Sequence, residues 1–227
     1  MKIRPAPALI LTVGLHFLSG CSLLKADPRI AFLGDSITQL WWYPTSNLGR
    51  DGDTTAKMLA RFPQRVPGNG YTAVVLLGGT NDVLLGIAPD ATLRNLEELA
   101  QQSAHQNAEP VLCTIPPIFH SWVPGDTKDY KPQVLELNRR IAQLAVEHHW
   151  KLIDFYTPLA EHPAYSTDGV HLNRSGYLAM VLALHRVLPH RLRYRRSSGH
   201  ASSGLFTRKT PPGIPHLWSR ADPPYRP

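Results

Sequence analysis

Cysteine is scarce in this chain: its 227 residues include two, Cys21 and Cys113. A disulfide framework is therefore excluded, and stability has to come from a buried core. Long apolar runs are missing as well. The N-terminal run Ala8–Leu18 is too short for a comfortable membrane span. No internal repeat appears, and 227 residues suit one well-buried domain better than two. Metal-ligand clusters are lacking, because the lone Asp168-x-x-His171 supplies too few groups for zinc. Even the charge is confined to one end. The formal net charge of +7 comes from residues 190–227, where eight Lys/Arg face one acid, Asp222. Residues 1–189 carry 16 basic and 16 acidic side chains and balance to zero. The domain expected over residues 28–189 thus lacks the electrostatic footprint of a nucleic-acid binder, and no nucleic-acid partner is expected.

The two ends of the chain differ from its middle. Residues 190–227 are rich in Pro, Gly, Ser and Arg without helical or strand periodicity, and read as a disordered basic tail. At the other end, Lys2 and Arg4 precede the apolar core Ala8–Leu18, the pattern of an export signal. That core runs into Leu18-Ser19-Gly20-Cys21, which resembles the lipobox of bacterial lipoproteins. The resemblance implies a signal peptide over residues 1–20 and a lipidated Cys21 leading a short linker, residues 21–27. The protein would then be held at the bacterial cell envelope, facing the periplasm or the outer membrane. Several acyl chains hold a protein firmly where one is marginal. An ordinary signal peptide with an incidental cysteine is the other reading. Cys113, in the apolar run Val111–Ile115, reads as a buried free thiol.

Between the ends, residues 28–189 alternate short apolar runs with helical patterns. Arg29–Leu33, Thr72–Leu77, Pro110–Ile115 and Lys151–Phe155 fit parallel strands buried on both faces. Asp90–Gln106 and Pro132–His149 repeat apolar residues at helical spacing. Thr54–Phe62 reads as a shorter helix with Asp53 as N-cap, and Asn173 as the cap of a last helix ending before Pro189. A further strand is expected between Trp42 and Leu48, poorly defined because of Pro44. This alternation predicts an α/β fold, a three-layer α/β/α sandwich on a mainly parallel sheet.

Each turn after a strand carries a reactive group. Ser36 follows the first strand in Gly34-Asp35-Ser36-Ile37-Thr38. Asn81 follows Thr72–Leu77 in Gly78-Gly79-Thr80-Asn81-Asp82, and Asp168 and His171 follow the last strand. In open α/β folds such loops share the carboxyl edge of the sheet, so distant residues can converge. A serine in a turn is by itself weak evidence, since many only make local hydrogen bonds.

Four blocks taken together resemble the SGNH/GDSL hydrolase family over most of residues 29–189. Gly34-Asp35-Ser36 matches the first and Asn47-x-Gly49-x-x-Gly52-Asp53-Thr54-Thr55 the second. Gly78–Asp82 matches the third, and Asp168-Gly169-Val170-His171-x-Asn173 the fourth, in the family's order. The resemblance implies a flavodoxin-like fold and a cofactor-independent, metal-free serine esterase working through an acyl-enzyme. Ser36 is then the nucleophile, His171 the base and Asp168 its orienting acid. The implied oxyanion hole comprises the backbone N–H groups of Ser36 and Gly52 and the side-chain amide of Asn81. The partner is a small-molecule ester: a lipid, an aryl ester or an acetylated sugar. An acyltransferase acting on carbohydrate and a non-catalytic envelope lipoprotein are the alternatives.

Some residues depart from the family or carry no motif. Leu40 and Leu172 replace a frequent glycine and proline, and the stretch from Ser36 to Gly52 is short. Trp41-Trp42-Tyr43 is expected either to wall a substrate pocket or to cover the sheet edge. Asp35 and Asp82 are expected to brace their loops, and His120, His148, His149 and His162 to be surface or packing residues.

Overall fold

The computed structural model describes residues 26–121 and 125–188. The predicted leader, Cys21 and residues 190–227 lie outside the described residues. Five strands form one parallel sheet in the order β2-β1-β3-β4-β5: β1 Ile30–Gly34, β2 Ser46–Gly49, β3 Ala73–Leu77, β4 Glu109–Cys113 and β5 Lys151–Ile153. β1 and β3 are buried at every position, as their unbroken apolar runs require of central strands covered on both faces. β2 begins only after Pro44, whose missing N–H cannot join a ladder, and it is a half-buried edge strand.

Helices α2 Thr55–Arg65, α4 Pro89–His105 and α5 Lys131–Glu147 pack side by side on one face. The long helix α6, Arg174–Val187, covers the other face together with Trp41 and Tyr43. Two short helices, α1 Ser36–Gln39 and α3 Thr80–Leu84, stand directly beyond β1 and β3. The result is the expected three-layer sandwich.

Four local expectations are corrected. The strands begin and end within two residues of the predicted bounds, β1 reaching Gly34 and β5 stopping at Ile153. α2 runs three residues past Phe62, through Pro63. Its N-cap is Thr54, whose hydroxyl accepts from the Lys57 amide, while Asp53 is engaged by Arg61. Packing also starts before residue 28: Ala26 is buried, and its carbonyl accepts from the Thr45 hydroxyl at 2.6 Å.

Trp41 and Tyr43 are core residues. Trp41 meets Phe32 of β1 and Phe155 edge-on and stacks on Tyr177 of α6. Such aromatic pairs add about 0.5–1.5 kcal/mol each beyond the area they bury. The cluster covers the sheet, and Trp42 alone of the three turns outward.

Candidate active site

The site begins where β1 stops. Asp35 caps α1, its carboxylate accepting from the Ile37 amide at 2.9 Å, so the turn from strand to helix presents Ser36 as the first helical residue. Gly34 cannot carry a side chain, because a Cβ would lie 2.1 Å from the Thr38 hydroxyl and 2.5 Å from the Leu77 carbonyl. Burial pushes the Asp35 carboxyl up to about 7, although the Ile37 amide and the nearby His171 pull it down. Asp35 therefore braces the turn that carries Ser36, as its sequence position suggested.

The loop before α6 meets this turn. His171 Nε2 lies 2.9 Å from Ser36 Oγ, and His171 Nδ1 lies 2.6 Å from Asp168 Oδ2. The other Asp168 oxygen accepts from the backbone amides of His171 at 2.7 Å and Val170 at 3.0 Å. Burial raises the Asp168 carboxyl, but hydrogen bonds from the His171 ring and these amides outweigh it and hold the group below its ordinary value. The carboxylate is thus ionised where it can steady an imidazolium.

This arrangement needs a tight bend between Asp168 and His171. Gly169 supplies it with φ +91°, and a Cβ there would strike the ring and carbonyl of His120 at 2.5 Å. The Phe119 amide donates to the Gly169 carbonyl at 2.8 Å, docking the loop on the segment after β4. Ser166 closes the bend: its hydroxyl accepts from the Gly169 amide and donates to the His171 carbonyl. Neither His120 nor Ser166 sits in a motif, so their neighbourhood was not readable from local sequence.

Gly52 and Asn81 come from two further loops. Gly52 adopts φ +67° in the turn before α2. The buried Asn81 donates one amide hydrogen to the Asp53 carbonyl at 2.9 Å, which leaves its second N–H for a ligand. Arg61 links these pieces. It pairs with the Asp53 carboxylate and donates to the Gly34 carbonyl at 2.9 Å, while the Arg50 amide reaches that same carbonyl at 3.0 Å. The Arg61–Asp53 pair is almost fully covered, so removing one partner would strand a charge. Gln39 adds a tie from α1 to the Asp51 amide. Asn47 binds the Thr38 and Trp41 carbonyls at 2.7 and 3.1 Å, fixing the chain between the first two blocks. Asp82 joins α3 to α2 and α4 by accepting from Thr55 and Thr92.

The remaining candidates stand apart. Cys113 is buried in β4, and burial pushes its thiol well up, away from thiolate chemistry. His148 pairs with Glu97 and stacks on Trp150, and His162 stacks on Tyr165. Among the described residues, no three His, Cys, Asp or Glu side chains gather into a group able to hold a metal.

Residues 32–179, which run from β1 into α6, match the model of one family, the GDSL-like lipase/acylhydrolases. The chain belongs to this family. It is 30% identical over 157 residues to esterase TesA of Pseudomonas aeruginosa, spanning 67% of this chain and 73% of that protein. A GDSL-like lipase from Bacteroides thetaiotaomicron superposes with a TM-score of 0.64 at 25% identity, covering 71% of this chain and 88% of the other. An acetyl-xylooligosaccharide esterase from Geobacillus shares the fold, with a TM-score of 0.61 at 18% identity over 76% of this chain and 99% of its own. As a GDSL-like acylhydrolase, the protein is a hydrolase of ester bonds.

Proposed function

We propose that this GDSL-like esterase cleaves O-acyl or O-acetyl esters through Ser36, His171 and Asp168, with a covalent acyl-enzyme. The reading is carried by the relay from Ser36 Oγ to His171 Nε2 at 2.9 Å and from His171 Nδ1 to Asp168 at 2.6 Å. His171 takes the hydroxyl proton as Ser36 Oγ attacks the ester carbonyl. The imidazolium returns that proton to the leaving alkoxide, and the alcohol departs. Water then attacks the acyl-serine with His171 again as base, releasing the carboxylic acid and restoring Ser36. Asp168 keeps the Nδ1 hydrogen on its own side of the ring, so Nε2 faces the serine as an acceptor. During both additions the oxyanion is held by the N–H groups of Ser36 and Gly52 and the free N–H of Asn81.

Hydrolysis is distinguished from acyl transfer by offering p-nitrophenyl esters of short and long acids with and without a carbohydrate acceptor. Free acid is expected in stoichiometric yield in both cases. Acylated carbohydrate formed in place of acid would make the protein a transferase.

The second half of the proposal is location. Cys21 at the end of the apolar leader is taken as the lipidated N-terminal residue of the mature protein at the bacterial cell envelope. Cells grown with labelled palmitate are expected to yield labelled protein in the membrane fraction, and Cys21→Ser to lose the label. Label retained by Cys21→Ser would remove the anchor from this account.

A further inference from the structure

Position 57 carries a charge that its own helix disfavours. Thr54 caps α2, so Lys57 is the third helical residue, where the first turn favours an acid. That turn holds no acidic residue, and Lys57 is exposed, so packing does not account for the lysine. With Glu or Gln at 57, the run from Thr54 would be a capping box. The reciprocal donor for such a box is in place, since the Thr54 amide has no hydrogen-bond partner among the described residues. A local rule broken with no local gain points to a use outside the helix.

The Lys57 side chain turns back to Gly52, its Nζ donating to the Gly52 carbonyl at 3.1 Å. No carboxylate of the described residues pairs with this ammonium. Asp53 is engaged by Arg61, and Asp51 faces water. Gly52 needs such a tie. It is exposed at φ +67°, and nothing stands within 4 Å of the place a Cβ would take. Hydrogen bonds rather than packing therefore fix the turn: the Asp53 amide to the Arg50 carbonyl at 3.3 Å, the Asp51 amide to Gln39, and Lys57 to Gly52 itself. The Gly52 N–H makes no bond among the described residues, so it is available to a ligand.

We infer that Lys57 is a positioning residue for ester cleavage: it holds the Gly52 turn in its donor orientation and sets an unpaired positive charge beside the developing oxyanion. The inference rests on the serine-esterase reading above and adds to it a residue outside all four sequence blocks. The nitrogen and carbonyl oxygen of one residue are at most about 4 Å apart, so the ammonium stands within roughly 7 Å of the Gly52 nitrogen. That separation is inside the Debye length of about 8 Å at physiological salt. A cation there attracts an oxyanion more than a neutral ester carbonyl, so it acts on the transition state and not on substrate binding.

The test is a series at position 57 in the full chain, read with the neutral ester p-nitrophenyl acetate. Lys57→Glu is expected to raise the thermal midpoint by about 2–4 °C, because it completes the capping box and suits the helix dipole. The same variant should lower kcat roughly tenfold at low salt, with KM little changed. Lys57→Gln should lose about threefold, and Lys57→Arg, which keeps the charge, should stay within about twofold of the wild type. In about 1 M salt, where the Debye length is about 3 Å, the deficit of Lys57→Glu should shrink to roughly threefold. A merely structural lysine cannot yield a variant that is more stable, slower and corrected by salt. An unchanged kcat in Lys57→Glu, a lower midpoint in it, equal losses in all three variants, a loss confined to KM, or a deficit indifferent to salt would each overturn the inference. Failure of the esterase reading would appear separately, as fluorophosphonate labelling that persists in Ser36→Ala.

Discussion

Ser36→Ala abolishes reaction with a fluorophosphonate and lowers kcat toward p-nitrophenyl acetate by roughly 10⁴–10⁶. The size follows from what the hydroxyl does. Without Oγ there is no nucleophile, His171 has no proton to take, and the two-step route through an acyl-serine closes. Residual turnover comes only from binding and from the oxyanion donors acting on water. The fold should survive the change. Alanine suits the first turn of α1, the Asp35 cap on the Ile37 amide is untouched, and one hydrogen bond to His171 Nε2 is lost. Circular dichroism and the thermal midpoint should therefore match the wild type closely. Labelling that persists in Ser36→Ala would mean that some other side chain is the nucleophile, and the reading would fall.

Much of the frame was legible because it is dictated locally. The runs that became β1 and β3 are apolar at every position, and that pattern has few solutions other than a central parallel strand. Once the strands are parallel, their carboxyl ends share an edge, and the blocks carrying Ser36, Asn81 and His171 arrive there together. What local sequence hides is pairing over distance. Asp53 and Thr54 are both good helix caps, and nothing nearby says that Thr54 takes the cap. Arg61 decides it by drawing the Asp53 carboxylate along α2 while reaching back 27 residues to the Gly34 carbonyl. The same reason concealed Ser166 and His120, whose roles exist only because the loop after Tyr165 folds onto the segment after β4.

Trp41-Trp42-Tyr43 shows a different limit. Three successive aromatics have no period of their own, so burial could have fallen on either side of the chain. The clamp of Tyr177 on Ile37 and of Tyr43 on His185 turns Trp41 and Tyr43 into the core and leaves Trp42 at the surface. These contacts span about 140 residues of sequence.

Asn81→Ala lowers kcat by about 10²–10³ with KM little changed. One N–H of this amide is already spent on the Asp53 carbonyl at 2.9 Å, so the side chain is held in one orientation before substrate arrives. In the proposed mechanism the other N–H is a fixed donor, and it gains most when the carbonyl oxygen becomes an oxyanion. An interaction made mainly in the transition state affects kcat and kcat/KM alike, whereas a ground-state contact would appear chiefly in KM. The same substitution frees the buried Asp53 carbonyl, which costs about 1 kcal/mol of stability and should lower the thermal midpoint by about 2–4 °C. The two effects are separable. A merely structural Asn81 would show the small thermal shift with kcat near wild type, and that result would exclude its amide from the oxyanion hole. The Arg61–Asp53 tie explains why the kinetic loss should be large: it joins the turn holding Gly52 to the strand end before Ser36. The proposed donors are therefore set relative to Ser36 by buried contacts rather than by the substrate, and a missing donor would have no mobile neighbour to replace it.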